Sequence, residues 1–330
     1  MKTFGAITDV PGITVGHAGD LKALTGCTVV LCTKGAVGAV DIRGAATGTR
    51  EIDALSPHHL VETIHAVLLT GGSAFGLDAA GGVMKYLEER GKGFNVGKTT
   101  VPVVPAAVIY DLGLGDFRVR PDLAMGYRAC INASTQVSEG SVGVGTGATV
   151  GKLFGMDRAM KGGVGTSSLR GPHGLVVGTL VVVNAFGDVV DPDSHKILAG
   201  ARASKRGERF TDSTAWIKRG VMRRRFGTSD LSRASRFNTT LGIIATNARL
   251  SKKDAHHVAR IAHSGLSKVI SPFHTTFDGD LLFVLSLGGK RADINTVGLL
   301  GETALMESAF RAITKADGFG ILPAYKDVKI

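Results

Sequence analysis

Short apolar runs bounded by glycine or aspartate predict the strands of this protein. Residues 26–42 predict two strands around a Lys-Gly turn. Residues 174–191 predict two more, joined by a turn between Asn184 and Asp188, because Gly-Asp there lies between β-branched runs. Further extended segments are predicted at residues 66–70, at 101–112, from Thr239 onward, and after the tight turn at Asp278-Gly279-Asp280.

Apolar positions with a period near 3.6 predict four helices. Residues 252–269 carry Val258, Ile261, Ala262 and Leu266 on one stripe, and residues 292–316 repeat this pattern. Two more helices are predicted, one from a glycine turn after residue 70 to about Arg90, the other at 121–134. Because strands and helices mix without a strict βαβ alternation, we expect layered sheets covered by helices rather than a doubly wound sheet.

Composition places the chain among ordinary globular proteins. It has 330 residues, 44% hydrophobic and 20% charged, enough for one large domain or two of usual size. Three cysteines form no disulfide framework and favour a reducing compartment. The first residues lack the apolar region of a signal peptide, and no apolar run reaches the roughly 18 residues of a membrane span. A cytoplasmic protein without a membrane partner is therefore expected.

The net charge of +11 comes mostly from one segment. Residues 202–236 contain eleven Lys or Arg against three acids, and also the only tryptophan, Trp216. Their periodicity is poor, which predicts an irregular excursion. A basic run without stacking aromatics is typical of a solvated loop or an oligomer contact, so specific nucleic-acid binding is not expected. The role of this segment stays open.

Several familiar site patterns fail in this sequence. The glycine-rich residues 140–152 end in Gly-Lys, but a phosphate loop would need glycine where Thr146 stands and a hydroxyl where Leu153 stands. A close-packed turn is predicted instead, with Lys152 as a cation at its end. Ser73 stands one place too early for a serine-hydrolase elbow. Cys27 and Cys32 are interpreted as strand residues of the core.

Metal-site spacing is also missing. His256, His257 and His263 share a predicted helix and are interpreted as part of its polar face. A second group shares a loop, in which Asp193 is interpreted as a helix cap; its members are Asp188, Asp191, Asp193 and His195. Neither a metal nor another cofactor is therefore expected.

Thr239 marks the point where the basic segment meets a buried strand. Its hydroxyl could attack the carbonyl of Asn238, and the freed α-amine, with a pKa near 8, could then accept the proton of that hydroxyl. Asp278 and Asp280 could both face Thr239 if Gly279 kinks the chain. Taken alone, these residues favour a plainer interpretation, in which Thr-Thr begins a strand and Asp-Gly-Asp is a hairpin turn.

Several sequence segments, in a fixed order along nearly the whole chain, favour the catalytic interpretation of Thr239 over the plainer one. They are ITDVPGITVGHA, LLTGGSAFGLDAAGGVMKYLEERGKGF, VPVVPAAVIYDLG, VGTGATVGK, VVVNAFGDVVD, NTTLGIIATNARLSK and PFHTTFDGD. With them the chain resembles the L-aminopeptidase/D-esterase family of self-processing N-terminal-nucleophile hydrolases, which includes β-aminopeptidases and nylon-oligomer (6-aminohexanoate oligomer) hydrolases.

The resemblance implies a fold and a processing event. The implied fold is α/β, a four-layer αββα sandwich. The implied cleavage separates Asn238 from Thr239, giving a large chain 1–238, which includes the basic excursion, and a small chain 239–330. Together these chains would form one structural domain, in a homo-oligomer that is commonly a tetramer of processed units. No cofactor is implied.

The resemblance also implies a set of site residues. Thr239 would be the nucleophile of self-cleavage and of substrate attack, assisted by Asp278 and Asp280. Lys152 and Asn184 would position or polarise the attacked carbonyl, an oxyanion-type role. Tyr110 would hydrogen-bond the substrate or intermediate.

Two departures from the aminopeptidase pattern direct the functional interpretation. Many aminopeptidase members have a serine nucleophile and a Ser-Gly-Glu element, whereas this chain has Thr239 and Asp278-Gly279-Asp280, as in the nylon-oligomer branch. The predicted substrate is therefore a small peptide or an oligoamide of the 6-aminohexanoate type. An aminopeptidase, an acyltransferase similar to ornithine acetyltransferase and a non-catalytic basic binding protein are the alternatives.

Overall fold

The computed structural model describes residues 3–221 and 238–328. Within these ranges the helices are α1 (Ala79–Glu88), α2 (Leu123–Ile131), α3 (Ser213–Lys218), α4 (Lys252–Val269) and α5 (Ile294–Thr314). The strands are β1 (Thr3–Phe4), β2 (Thr14–Asp20), β3 (Thr25–Ile42), β4 (Thr49–Arg50), β5 (Ile64–Thr70), β6 (Phe94–Asn95), β7 (Thr100–Val101), β8 (Ala106–Val108), β9 (Thr149–Val150), β10 (Met160–Lys161), β11 (Gly163–Arg170), β12 (Val176–Asn184), β13 (Asp188–Val190), β14 (Ile197–Ala199), β15 (Thr239–Ala248), β16 (Ile270–Ser271) and β17 (Leu281–Lys290).

Strand β3 belongs to two large sheets. Its first half pairs with β2 and β5 in a sheet ordered β2-β3-β5-β8-β4, and its second half pairs with β17 in a sheet ordered β1-β11-β12-β15-β17-β3. The register shifts between Leu31 and Ala36, where Gly35 has a φ of +86°. The prediction of two strands around a Lys-Gly turn is therefore wrong. Lys34 and Gly35 lie at an irregularity within a single strand, and β3 pairs mainly in one sheet before it and in the other sheet after it.

Alternate residues of the strands face different apolar layers. In β17, Phe283 packs between the two sheets, whereas Leu282 and Val284 pack against α4 and α5. In β3, Val30 faces the space between the sheets and Val29 faces α1 and α2. Since side chains alternate across a strand, each sheet buries both faces. Three apolar layers thus separate four layers of secondary structure, and the expected αββα sandwich is confirmed.

Local signals define helix boundaries, and glycines allow two helices to pack closely. Helix α4 begins after Ser251, whose hydroxyl accepts from the backbone N–H of Asp254, so the prediction of residues 252–269 is confirmed. Helices α1 and α2 approach closely, because a Cβ on Gly82 would lie 1.9 Å from the Leu123 oxygen and one on Gly126 would lie 1.9 Å from the Ala79 oxygen. No helix in the described part of the chain has the length and apolarity to cross a membrane.

The structure corrects two predictions for residues 174–195. Strands β12 and β13 do not form a hairpin, since β13 pairs with β14 and β16 in a separate small sheet. Asp193 caps no helix and lies instead in a turn, where its N–H donates to the Asp191 carboxylate.

The described residues of the basic excursion contain regular structure. They include the short helix α3, which is capped by Asp212, so the prediction of an irregular segment is wrong there. Arg202 is buried and donates through Nη2 to the Asp157 carbonyl at 2.8 Å, which differs from a fully solvated loop. Residues 222–236 of the excursion lie outside the described residues.

Asp188 anchors this segment to β13. Its carboxylate accepts from the Ala201 N–H at 2.8 Å, from the Ser213 N–H at 2.8 Å and from the Ser213 hydroxyl at 2.9 Å. Burial raises the pKa of Asp188 from its usual 3.8 to about 7. As the pH rises, the folded protein therefore keeps this proton to a higher pH than the unfolded chain does. The stabilisation gained from the proton is full below pH 4 and is lost as the pH rises through 7.

We expect Asp188→Asn to melt about 2–6 °C below the parent chain, because the amide presents two N–H donors where the protonated carboxyl presents one O–H, and three donors already face residue 188. The gap should be widest near pH 5 and should narrow toward pH 8, as ionisation destabilises only the parent. Melting temperatures of both proteins from pH 5 to 8 measure this. A gap that does not depend on pH would contradict the assigned titration.

Candidate active site

Thr239 lies at the beginning of a central strand. Strand β15 runs antiparallel to β12 and parallel to β17, and Thr239 pairs with Asn184 of β12. On the other side, Asn238 forms a parallel bridge with Asp278. The junction lies between strands on both sides, and both of its residues are buried. This position brings three distant chain segments around one peptide bond.

The carbonyl of Asn238 is held by two donors. Its oxygen accepts from the Gly279 N–H at 2.8 Å and from the Thr239 hydroxyl at 2.5 Å. The Asn238 N–H donates to the Phe277 carbonyl at 3.0 Å, which anchors the residue from the other side. A backbone N–H at this distance can stabilise negative charge that develops on a carbonyl oxygen under attack. The hydroxyl closest to that carbonyl belongs to Thr239.

Gly279 is required by close packing rather than by its φ angle. A Cβ at this position would lie 2.5 Å from the Ala46 oxygen and 2.9 Å from the Thr239 Oγ1. The segment containing Ala46 is fixed by backbone bonds, since the Ala46 N–H donates to the Asp278 carbonyl at 3.0 Å and the Gly44 N–H donates to the Asp280 carbonyl at 2.9 Å. Only glycine therefore lets this backbone approach the Thr239 hydroxyl.

Asp278 is buried among donors and beside a second carboxylate. Its Oδ1 accepts from the Phe186 N–H at 3.1 Å, and its Oδ2 accepts from the Thr275 N–H at 3.1 Å and the Thr275 hydroxyl at 2.5 Å. Burial, and then the charge of Asp280, raise the pKa of Asp278. Asp278 therefore retains its proton to higher pH than an exposed aspartate does.

Asp280 contacts Thr240, the residue that follows Thr239. Its Oδ1 accepts from the Thr240 N–H at 2.7 Å. Its Oδ2 accepts from the backbone N–H of His274 at 3.2 Å and lies 3.1 Å from the His274 Nδ1. The two predicted aspartates thus flank the start of β15, with Asp278 beside Asn238 and Asp280 beside Thr240.

Lys152, Asn184 and Tyr110 form a connected group on the other side of Thr239. The Lys152 Nζ donates to the Asn184 side-chain oxygen at 2.7 Å and to its backbone oxygen at 2.9 Å. The Asn184 amide donates to the Tyr110 carbonyl at 3.4 Å. Lys152 and Asn184 are both buried, so two oxygens of Asn184 hold the Lys152 side chain beside Thr239. The structure brings these three predicted residues together, and their oxyanion and substrate roles stay predictions.

The glycine-rich turn supports Lys152. Its residues from Gly143 to Gly147 are all buried, so the predicted close-packed turn is confirmed. Lys161 donates through Nζ to the Thr146 carbonyl at 2.7 Å and to the Ala148 carbonyl at 3.0 Å. Burial lowers the pKa of Lys161 to about 7. This second buried lysine ties the turn to β10 and is not exposed to a substrate.

A pocket of about 230 Å³ opens at Thr239. Its described lining consists of Ala46, Thr47, Gly48, Ser73, Ala74, Val108, Tyr110 and Thr239. These side chains are small or apolar except for Tyr110, and none of the eight is acidic. The pocket therefore fits an uncharged chain better than an ammonium group.

The other candidates from the sequence lie outside this site. Cys27 and Cys32 are buried in β3, and burial raises the pKa of Cys32 to about 12, which makes it a poor nucleophile. His263 was assigned to a polar helix face, but it is fully buried and its Nδ1 lies 2.9 Å from the Asp41 carboxylate. That assignment is wrong, because α4 turns this residue toward β3. The described residues contain no group of three or more potential metal ligands.

Sequence reasoning missed the groups that hold the aspartates. Thr275, His274 and the N–H of Phe186 all contact one carboxylate or the other, and the N–H of Gly279 contacts the Asn238 carbonyl. The spacing of Thr275 and Asp278 is a local signal that could have been used, because a hydroxyl three residues before an aspartate often bonds it in a turn. The other contacts depend on pairing between distant segments.

Comparisons with known proteins agree with this geometry. The chain matches the model of Peptidase family S58 over residues 5–324. It is 38% identical over 346 residues to an uncharacterized aminopeptidase of Mycobacterium tuberculosis, covering 98% of this chain and 97% of that protein. It is 32% identical over 284 residues to a 6-aminohexanoate-oligomer endohydrolase of Paenarthrobacter ureafaciens, covering 84% of this chain and 74% of that protein.

A solved structure has a similar fold. The L-aminopeptidase D-Ala-esterase/amidase of Ochrobactrum anthropi, described as a variant of the Ntn hydrolase fold, superposes with a TM-score of 0.69 at 18% identity and covers 94% of this chain and 86% of its own. The resemblance found in the sequence is thereby confirmed. The chain belongs to peptidase family S58, of the L-aminopeptidase/D-esterase type, and is a peptide-bond hydrolase with an Ntn-hydrolase fold.

Proposed function

We propose that the chain cleaves itself between Asn238 and Thr239, and that Thr239 then hydrolyses amide bonds of small peptides or oligoamides. The observation that carries this proposal is the double contact of the Asn238 carbonyl with the Gly279 N–H and the Thr239 hydroxyl. A nucleophile and an oxyanion donor already converge on the one bond whose cleavage would free Thr239.

Self-cleavage proceeds by an N-to-O acyl shift. The Thr239 oxygen attacks the Asn238 carbonyl carbon, its proton passes through the aspartate pair to the departing Thr239 nitrogen, and an ester forms. Water then hydrolyses the ester, leaving a carboxylate on Asn238 and a free amine and hydroxyl on Thr239. The Gly279 N–H stabilises the oxyanion of both steps. Because β15 and β17 of the small chain lie between β12 and β3 of the large chain, the two products stay associated.

Substrate hydrolysis uses the same hydroxyl with a new base. The α-amine of Thr239 takes the hydroxyl proton, the oxygen attacks the substrate amide, and the amine product leaves with that proton. Water releases the acyl group from Thr239. Lys152 and Asn184 hold the attacked carbonyl from the β12 side, Tyr110 binds the substrate in the pocket, and Asp278 and Asp280 hold the Thr239 amine.

The pocket favours an oligoamide substrate of the 6-aminohexanoate type. An aminopeptidase must bind a free ammonium close to the attacked carbonyl, whereas the described lining offers no carboxylate for it. A small, largely apolar wall instead suits an unbranched methylene chain. An aminopeptidase remains the second candidate, because the relatives at 38% identity carry that name.

Mass spectrometry of the purified protein tests the processing. Two species are expected, residues 1–238 and residues 239–330, the second with an N-terminal threonine. A single intact chain that still hydrolyses amides would contradict the proposal.

A paired substrate panel tests the specificity. We expect a 6-aminohexanoate trimer to be hydrolysed with a kcat/KM that changes less than about threefold when its N-terminus is acetylated. L-Alanine and β-alanine p-nitroanilides, which present a free amine, serve as the comparison. Activity confined to substrates with a free N-terminal amine would assign the protein to the aminopeptidases instead.

A further inference from the structure

His274 contacts one of the site carboxylates from two directions. Its backbone N–H lies 3.2 Å and its Nδ1 lies 3.1 Å from the same oxygen of Asp280. The residue has a φ of +56°, in the left-handed region that a histidine seldom adopts. This backbone conformation allows the main chain and the ring of one residue to reach a single oxygen, which indicates a local constraint at the site.

The surroundings of the ring determine which of its nitrogens donates. Asp280 is fully buried, and its Oδ2 already accepts from the backbone N–H of His274, so we assign the Nδ1 as the donor of this contact. The Nε2 of His274 is buried and makes no hydrogen bond within the described part of the chain. The ring therefore has one polar contact, and it is directed at Asp280.

The other charged or titratable groups near the ring come from α4 and β3. The His263 ring packs edge-on to the His274 ring with centroids 4.8 Å apart. His263 in turn contacts Asp41, which also accepts from the Arg43 Nε at 2.7 Å. Burial lowers the pKa of His263, so this neighbour stays neutral near pH 7 and adds no positive charge beside His274. Asp280 is then the charged group in direct contact with His274.

The two aspartates of the site differ in what they contact. They are separated in sequence only by Gly279, and two buried carboxylates this close do not readily ionise together. Asp280 accepts from two backbone N–H groups and the ring of His274, whereas Asp278 accepts from two N–H groups and a neutral hydroxyl. The Thr275 hydroxyl can also accept a hydrogen bond from a protonated carboxyl, whereas the three N–H groups around Asp280 can only donate. These contacts favour the proton on Asp278 and the negative charge on Asp280.

We propose that His274 is a positioning residue that keeps Asp280 ionised and directed at the Thr240 N–H, so that Asp280 carries the charge of the pair and Asp278 carries the proton. This inference rests on the proposed function of Thr239. Its consequence is that the ionised group next to the nucleophile accepts the hydroxyl proton in self-cleavage, and later holds the Thr239 ammonium. His274 is not among the described residues that line the pocket at Thr239, so it acts only through Asp280.

Two substitutions at the same position separate the hydrogen bond from the backbone conformation. Asparagine and glycine both tolerate a positive φ, but only asparagine retains a side-chain N–H near the position of Nδ1. We expect His274→Asn to keep the pH profile of kcat/KM within about 0.3 units. His274→Gly should move the acid limb of that profile up by about one pH unit and lower kcat about tenfold, with KM changing less than twofold.

The comparison distinguishes failure of this inference from failure of the proposed function. If the parent chain neither cleaves itself nor hydrolyses amides, the function fails before His274 is tested. If the parent is active and the two variants share one pH profile, whether shifted or not, the positioning role is overturned. A structural role alone would lower the melting temperature of both variants without a selective shift of the acid limb.

A measurement on the parent covers the case in which His274→Gly does not fold. In protein labelled with ¹⁵N-histidine, the Nδ1 of His274 should be protonated throughout pH 5 to 9, and its chemical shift should change in Asp280→Asn. An unprotonated Nδ1 at neutral pH, or a shift unaffected by Asp280→Asn, would overturn the proposal.

Discussion

Replacing Thr239 with valine is expected to leave the chain in one piece and to reduce amide hydrolysis by at least about 10⁴-fold, the scale of loss when a nucleophile is removed. Valine keeps the branched shape that begins β15 but lacks the hydroxyl that contacts the Asn238 carbonyl at 2.5 Å. Both losses share one cause, since the same oxygen would break the internal bond and the substrate bond. Intact mass and hydrolysis of a 6-aminohexanoate trimer measure the two effects.

Thr239→Ser is the matched control for this experiment. It keeps the hydroxyl and loses only a methyl group, so it should still be cleaved and should retain hydrolysis within about 100-fold of the parent. Circular dichroism and melting temperature should show that the valine variant is folded. Processing or turnover at near-parent rates in Thr239→Val would rule out Thr239 as the nucleophile.

Gly279→Ala is expected to slow self-cleavage by about 10²- to 10³-fold, the usual loss when an oxyanion donor is displaced. The added Cβ would meet the Ala46 oxygen at 2.5 Å and the Thr239 Oγ1 at 2.9 Å. Because Ala46 is fixed by its own backbone bond to Asp278, residue 279 must move, and its N–H then leaves the Asn238 carbonyl. The time course of the two fragments after expression or refolding measures this rate.

Gly5→Ala is the corresponding control. A Cβ at Gly5 would meet no atom within 4 Å, and neither Gly5 nor Gly279 has a positive φ. The two variants therefore differ in contacts rather than in backbone preference, and Gly5→Ala should be processed at the parent rate. Equal processing of both variants would show that the Gly279 N–H contributes nothing to cleavage.

The sequence predicted most elements because their signals are local. The apolar stripe from Val258 to Leu266 predicted α4 without any distant contact, and the structure adds a capping box at Ser251. Two of the predictions that were wrong concern the partners of strands. An apolar run does not reveal that β12 and β13 belong to different sheets, or that Gly35 continues β3 instead of turning it, because those outcomes depend on which strand lies alongside.

The candidate site was predicted as a set of residues but not as an arrangement. Thr239, Asp278, Asp280, Lys152, Asn184 and Tyr110 came from matching segments to a family, and physical reasoning on those residues alone favoured an ordinary strand start. The contacts that now connect them join positions far apart in the chain, such as the Thr240 N–H and Asp280, 40 residues apart, or Phe186 and Asp278, 92 residues apart. No local pattern encodes such distances.

The Asn238–Thr239 junction shows most clearly which features the sequence determines and which depend on the tertiary structure. The sequence by itself determined that a hydroxyl residue begins a buried strand there, since a polar, basic segment gives way to an apolar run, and that an Asp-Gly-Asp turn precedes another strand. Only the tertiary structure decided that these two strands lie side by side in parallel. That pairing is what directs the Gly279 N–H at the Asn238 carbonyl and places His274 against Asp280, because hydrogen bonds between strands depend on register, which the whole sheet sets.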